Sequence, residues 1–311
     1  MSHKPGRERG TGGDPGRWGS RSEPVAEANE GSPNALPIAA GGGGDPRPIG
    51  VFDSGVGGLT VVAELVRQLP SEPILYLGDT ARLPYGTKSQ TTVSRYTQRN
   101  VGFLRSRGVK AVVVACNTAS ALALPELEDA LGGELPVWGV IEPGARRALE
   151  VTQGRVGVIA TESTIRSDAY GRALRALAPD ELTIVGQACP LFVPLVEEGW
   201  HDDPVTEEVA RRYLAPLLVA EVDTVVLGCT HYPLLAPVIS RVLGPGVALV
   251  DSAQATAQAV AHGLGELGLA APPDEEPEHH LCVTDLADRF ARIERMILGE
   301  GARSLELVDV R

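Results

Sequence analysis

Asp223-Thr-Val-Val-Leu-Gly-Cys-Thr-His-Tyr-Pro-Leu234 is the stretch that decides how this chain folds. Its apolar run is of strand length and stops at Gly228, which delivers Cys229 onto a strand-to-helix turn. Thr230 and His231 follow, and Pro233 falls where a first helical turn accepts a residue without an N–H. The same design occurs earlier, in Lys110-Ala-Val-Val-Val-Ala-Cys-Asn-Thr-Ala-Ser120, where Cys116 ends another apolar run. Two thiols in matching local settings predict two half-sites that face each other.

A cysteine at a helix N-terminus meets free backbone N–H groups and the positive end of the helix dipole. Its pKa of about 8.5 can then fall toward neutrality. Such a thiolate serves as nucleophile, general base or metal ligand. Free cysteines also pack as small apolar residues, but these two sit among polar residues where an apolar strand stops, which favours a chemical role.

Outward from these stretches, strand and helix patterns alternate. Strands are expected at 48–53, 72–78, around 110–115, at 136–141 (ending at Glu142-Pro-Gly), 154–160, 182–188, 223–228, 247–250 and 281–284. Helices are expected at about 91–107, 204–220 and 253–268, with one more and a terminal strand closing the chain. Such alternation is the signature of an α/β fold with mainly parallel sheets and sites at the carboxyl ends of the strands. Asp53-Ser54, Asp79-Thr80, Cys116-Asn117-Thr118 and Cys229-Thr230-His231 all fall at such ends, which predicts one composite site. The glycines of Ser54-Gly-Val-Gly-Gly-Leu-Thr60 resemble a dinucleotide fingerprint imperfectly, since Thr60 occupies the third glycine position. They suit backbone approach to a small anion such as a carboxylate.

The composition narrows the choices. The 311 residues carry a formal net charge of −12, which argues against nucleic-acid binding. No apolar run is long enough to span a bilayer, and the first 20 residues carry no secretory pattern. Cysteines 116, 189, 229 and 282 lack disulfide-framework spacing and point to a reducing cytoplasm. Only three lysines occur, Lys4, Lys88 and Lys110, and none is well placed for a pyridoxal Schiff base. Residues 1–47, rich in Gly, Pro, Arg, Glu and Ser, are expected to be a disordered extension.

Five motifs together resemble the Asp/Glu racemase family, in its glutamate racemase form. They are Phe52-Asp-Ser-Gly-Val-Gly-Gly-Leu-Thr60, Asp79-Thr-Ala-Arg-Leu-Pro-Tyr-Gly86, Ala115-Cys-Asn-Thr-Ala-Ser120, Ala188-Cys-Pro-Leu-Phe-Val-Pro-Leu-Val-Glu-Glu-Gly199 and Gly228-Cys-Thr-His-Tyr-Pro233. The resemblance implies two α/β domains facing across a central cleft: 48–141, completed by 253–311, and 142–252. It implies a cytoplasmic, cofactor-independent homodimer that converts L-glutamate to D-glutamate for peptidoglycan, with no metal and no membrane or nucleic-acid partner. It makes Cys116 and Cys229 the catalytic pair, assisted by Asp53, His231 and either Glu197 or Glu198, between which the sequence does not choose. Substrate contacts carry over to Asp53, Ser54, Tyr85, Gly86, Asn117, Thr118, Thr230 and His231. The related alternative is a racemase acting on aspartate or a hydantoin.

Overall fold

The computed structural model describes residues 44–178, 182–273, 277–285, 288–299 and 304–310. In chain order the first half holds β1 (Ile49–Asp53), α1 (Leu59–Gln68), β2 (Ile74–Gly78), α2 (Gln90–Ser106), β3 (Ala111–Val114), α3 (Asn117–Leu131) and β4 (Val137–Gly139). Next come α4 (Ile141–Val151), β5 (Arg155–Ala160), α5 (Glu162–Ser167), α6 (Ala169–Leu177), β6 (Thr183–Ala188), α7 (Phe192–Glu197), α8 (Pro204–Val219), β7 (Thr224–Gly228), α9 (Ala236–Leu243) and β8 (Ala248–Asp251). The chain closes with α10 (Ser252–Glu266), β9 (His280–Val283), α11 (Asp288–Leu298) and β10 (Ser304–Leu307).

Two wholly parallel sheets result, in the orders β10-β9-β2-β1-β3-β4 and β6-β5-β7-β8. Parallel pairing needs helical crossovers that cover both faces, so central strands read as unbroken apolar runs. The packing shows this directly. In β3, Ala111 and Val113 join the core on one face while Val112 and Val114 join the core on the other. In β7, Val225 and Leu227 pack to one side and Val226 to the other. Helix α10 returns to the first sheet and lays Ala253, Ala257, Val260 and Leu264 into the core shared with α1.

Two expectations are corrected. Glu142, Pro143 and Gly144 do not end a strand: they form the first turn of α4, where a proline is tolerated because its N–H would have no partner. Residues 44–47, assigned with the leader to disorder, are held: Asp45 N–H donates to Ala270 O, and Arg47 pairs with Asp45. Residues 1–43 lie outside the described part of the chain, as do 274–276 of the acidic, proline-rich loop. Lys110, just before β3, is a fully buried cation, paired with Glu72 and donating to Asp45 O at 2.6 Å.

Candidate active site

A cavity of about 330 Å³ lies between the carboxyl ends of the two sheets. From the first sheet come Ser54 after β1, Tyr85 and Gly86 after β2, and Cys116, Asn117 and Thr118 after β3. From the second come Thr161 after β5, Glu197 on α7, and Cys229, Thr230 and His231 after β7. Both thiols therefore line one cavity, reached from opposite sheets. A larger hollow of about 540 Å³, lined mainly by α4 and α10, contains none of these residues, so size alone does not locate the site.

The two cysteines are not equivalent. Cys116 caps α3: its Sγ accepts from Ala119 N–H at 3.5 Å and lies 3.6 Å from Ser54 Oγ. Burial and the nearby Asp53 carboxylate push this thiol up to about 12. The helical amide of Ala119 and the contacts with Ser54 oppose that rise and do not win, which reverses the expectation of a lowered pKa. Cys229 caps no α-helix, because a 3-10 turn (Tyr232–Leu235) separates it from α9. Its Sγ lies instead 3.9 Å from His231 Nδ1.

His231 is 5% exposed, and its Nε2 stands 3.4 Å from Glu197 Oε1. Burial alone would pull the imidazole down. Its contacts with Cys229 and Glu197, helped by the charge of Asp53, outweigh that and raise it to about 10. Glu197 is buried, whereas Glu198 is exposed and does not line the cavity, so the geometry brings only the first to the site.

Asp53 is fully buried and joins the halves: Oδ2 accepts from Gly55 N–H at 3.0 Å and Oδ1 from Thr230 Oγ1 at 3.5 Å. Thr118 Oγ1 meets Thr161 Oγ1 at 3.0 Å and Thr164 Oγ1 at 3.3 Å across the same cleft. Two glycines allow this approach. A Cβ on Gly57 would come within 2.5 Å of His231 Nδ1, and one on Gly86 within 2.7 Å of Thr161 Cβ. The Tyr85 hydroxyl donates to Asp79 and accepts from Asn100 Nδ2 at 3.1 Å; Asp79 also accepts from Thr284 Oγ1 at 3.1 Å.

Asp79, expected at a strand end beside the composite site, is wholly buried there. Sequence reasoning missed two participants. Thr161 signals only a helix cap, a role it fills by accepting from Thr164 N–H. Tyr170, inside an amphipathic helix, carries no mark distinguishing it from core, yet its hydroxyl donates to Asn117 Oδ1 at 2.7 Å. No cluster of three or more His, Cys, Asp or Glu suited to a metal occurs among the described residues.

Residues 49–260 match the family model of the Asp/Glu/hydantoin racemases. A glutamate racemase of Geobacter metallireducens is 55% identical over 254 residues, covering 81% of this chain and 93% of that one. A crystal structure of a Bacillus anthracis glutamate racemase superposes with a TM-score of 0.81 at 42% identity, over 85% of this chain and 98% of that one. A Francisella tularensis glutamate racemase, crystallised with D-glutamate, gives 0.80 at 37% identity, over 86% and 98%. The chain belongs to the Asp/Glu/hydantoin racemase family, and within it to the group of glutamate racemases.

Proposed function

We propose that the enzyme interconverts L-glutamate and D-glutamate by proton transfer between two opposed cysteines, with no cofactor. The observation that carries this is the convergence of Cys116 and Cys229 from different sheets on a single cavity. Inverting Cα requires a proton to leave one face and another to arrive on the opposite face. One base would have to carry its proton around the substrate, whereas two bases on opposite walls need no such movement.

In one direction the Cys229 sulfur takes the Cα proton, forming S–H as C–H breaks. The Cys116 S–H gives its proton to the other face and is left as thiolate. The reverse reaction exchanges the roles. The resting asymmetry favours this starting state: Cys116 holds its proton up to about 12, while the His231 imidazolium offers Cys229 a positive charge. Glu197 supports that charge from the far side of the ring. Asp53 ties Thr230 to the loop after β1 and faces the Cys116 side of the site.

An acidic enzyme binding an acidic amino acid needs local donors. Ser54, Asn117, Thr118 and Thr230 supply hydroxyl and amide groups, and Tyr85 and Gly86 complete the wall. The two lobes, 48–141 with 253–311 and 142–252, would strengthen these bonds by excluding water as they close. The family resemblance supports a cytoplasmic homodimer whose D-glutamate serves peptidoglycan synthesis. The test is polarimetric: L-glutamate, L-aspartate and hydantoins are offered to purified enzyme without added cofactor, with circular dichroism as the readout. Loss of ellipticity with L-glutamate is expected. Turnover confined to aspartate or a hydantoin overturns the glutamate assignment.

A further inference from the structure

Asn117 and Tyr170 meet across the cleft. Asn117 opens α3 directly after Cys116, and Tyr170 belongs to α6, in the layer that covers the second sheet. Both are buried, and the tyrosine hydroxyl donates to Asn117 Oδ1 at 2.7 Å. The other half of the same amide, Nδ2, is buried without a hydrogen-bond partner on a residue that lines the cavity. A buried N–H left unpaired is costly and is retained where something else fills it.

An asparagine amide presents a donor and an acceptor that exchange when the group turns over, and a tyrosine hydroxyl can satisfy either end. The geometry removes the ambiguity: the phenol oxygen lies 2.7 Å from Oδ1, an acceptor, so the hydroxyl gives its proton there and leaves Nδ2 unpaired. Ser252, the first residue of α10, packs beside Tyr170 near Gly144.

We propose that Tyr170 is a positioning residue for the substrate: its hydroxyl orients the Asn117 amide so that Nδ2 stands in the cavity as a donor to a substrate carboxylate. This rests on the glutamate reading above. It adds a group from the second sheet's side that sets a donor on the first, so the amide is correctly turned only when both halves hold this arrangement. Tyr170 itself touches no reacting atom.

The test uses full-length enzyme and glutamate. Tyr170→Phe keeps the ring and its packing and removes only the hydroxyl. KM is expected to rise about tenfold, the equivalent of one hydrogen bond, with kcat changed by less than about threefold. Asn117→Ala should raise KM similarly, and the double variant should be no worse than Asn117→Ala alone, because the two groups act as one unit. Direct calorimetric titration with D-glutamate reads the same affinities in variants too slow to assay. Should Asn117→Ala fail to fold, Asn117→Ser takes its place in the cycle. KM unchanged in Tyr170→Phe, or losses that multiply in the double variant, would overturn the positioning role. A wild-type enzyme inactive on glutamate would instead overturn the glutamate reading, and this inference with it.

Discussion

Cys229 Sγ lies 3.9 Å from His231 Nδ1, and the far nitrogen of that ring lies 3.4 Å from Glu197 Oε1. A thiol, an imidazole and a carboxylate thus form a chain on one wall of the cavity, while Cys116 on the other wall meets Ser54 and its own helix amide, with the Asp53 carboxylate near. The two halves of the site share a design in sequence but not in electrostatics.

From this chain, His231→Gln should cost activity about 100-fold, within the usual range for losing a general acid–base partner. It should also remove a pH dependence of stability. The folded His231 holds its proton to about 10, against 6.5 for an ordinary imidazole. The stabilisation it brings is complete below 6.5 and is lost as pH rises through 10. The urea midpoint of the wild type should therefore fall between about pH 7 and 9. Unfolded thiols also titrate in this range, so the readout is the difference: His231→Gln should be flatter there. Parallel curves for the two proteins would show that His231 is not held protonated.

The two neighbouring glutamates should separate. Glu197→Gln leaves the buried imidazolium without its anionic partner and is expected to lower kcat about tenfold or more. Glu198→Gln, at an exposed position outside the cavity, should stay within about twofold of wild type. Equal losses in both variants would remove Glu197 from the chain.

How far the sequence foretold this site depends on what each residue needed from its neighbours. Cys116, Asn117 and Cys229 were legible because a strand end is a local feature: an apolar run stops and polar residues follow. Glu197 and Glu198 were indistinguishable, since one step around a short helix decides which is buried, and no local periodicity marks it. Tyr170 and Thr161 were invisible because their partners lie on the other sheet, 53 and 43 residues away. The direction of the Cys116 shift was misread for a related reason. A helix N-terminus can be read from sequence, but the burial and the Asp53 charge that outweigh it arise only in the folded packing. The fold itself was nearly all local pattern, and it failed where Pro143 looked like a break but began a helix.

Gly57 tests the close approach of the halves. Gly57→Ala would place a methyl against Thr230 Oγ1 and the His231 ring. Overpacking of this kind costs about 1–3 kcal/mol. Because the clash falls on the catalytic wall, kcat should fall at least tenfold, a larger effect than the change in unfolding midpoint would suggest. Wild-type turnover would mean that His231 can move away without loss.

Substitution separates the four thiols. Cys116→Ala or Cys229→Ala should abolish racemisation, because each face loses its only base. Cys189 and Cys282 are buried in the cores and burial raises both thiols, so their alanine variants should show only packing costs of about 0.5–3 kcal/mol. Normal turnover in either Cys116→Ala or Cys229→Ala would end the two-base scheme.

The strongest test of that scheme is the origin of the new Cα hydrogen. If Cys116 and Cys229 work from opposite faces, the proton delivered to product is never the one taken from substrate. The delivering S–H exchanges with solvent in the free enzyme before substrate arrives. In D₂O, D-glutamate formed from L-glutamate should therefore carry deuterium at Cα from the first turnovers, while unreacted L-glutamate stays largely protonated. A single base that removes and returns one proton makes the opposite prediction, since early product would keep much of the original hydrogen. After each conversion the proton sits on the cysteine that removed it, so the enzyme must also reset through solvent before it acts on the same enantiomer again. Mass spectrometry of separated enantiomers at low conversion reads the outcome directly. Early D-glutamate that is mostly protonated would show that the two cysteines are not an opposed acid–base pair.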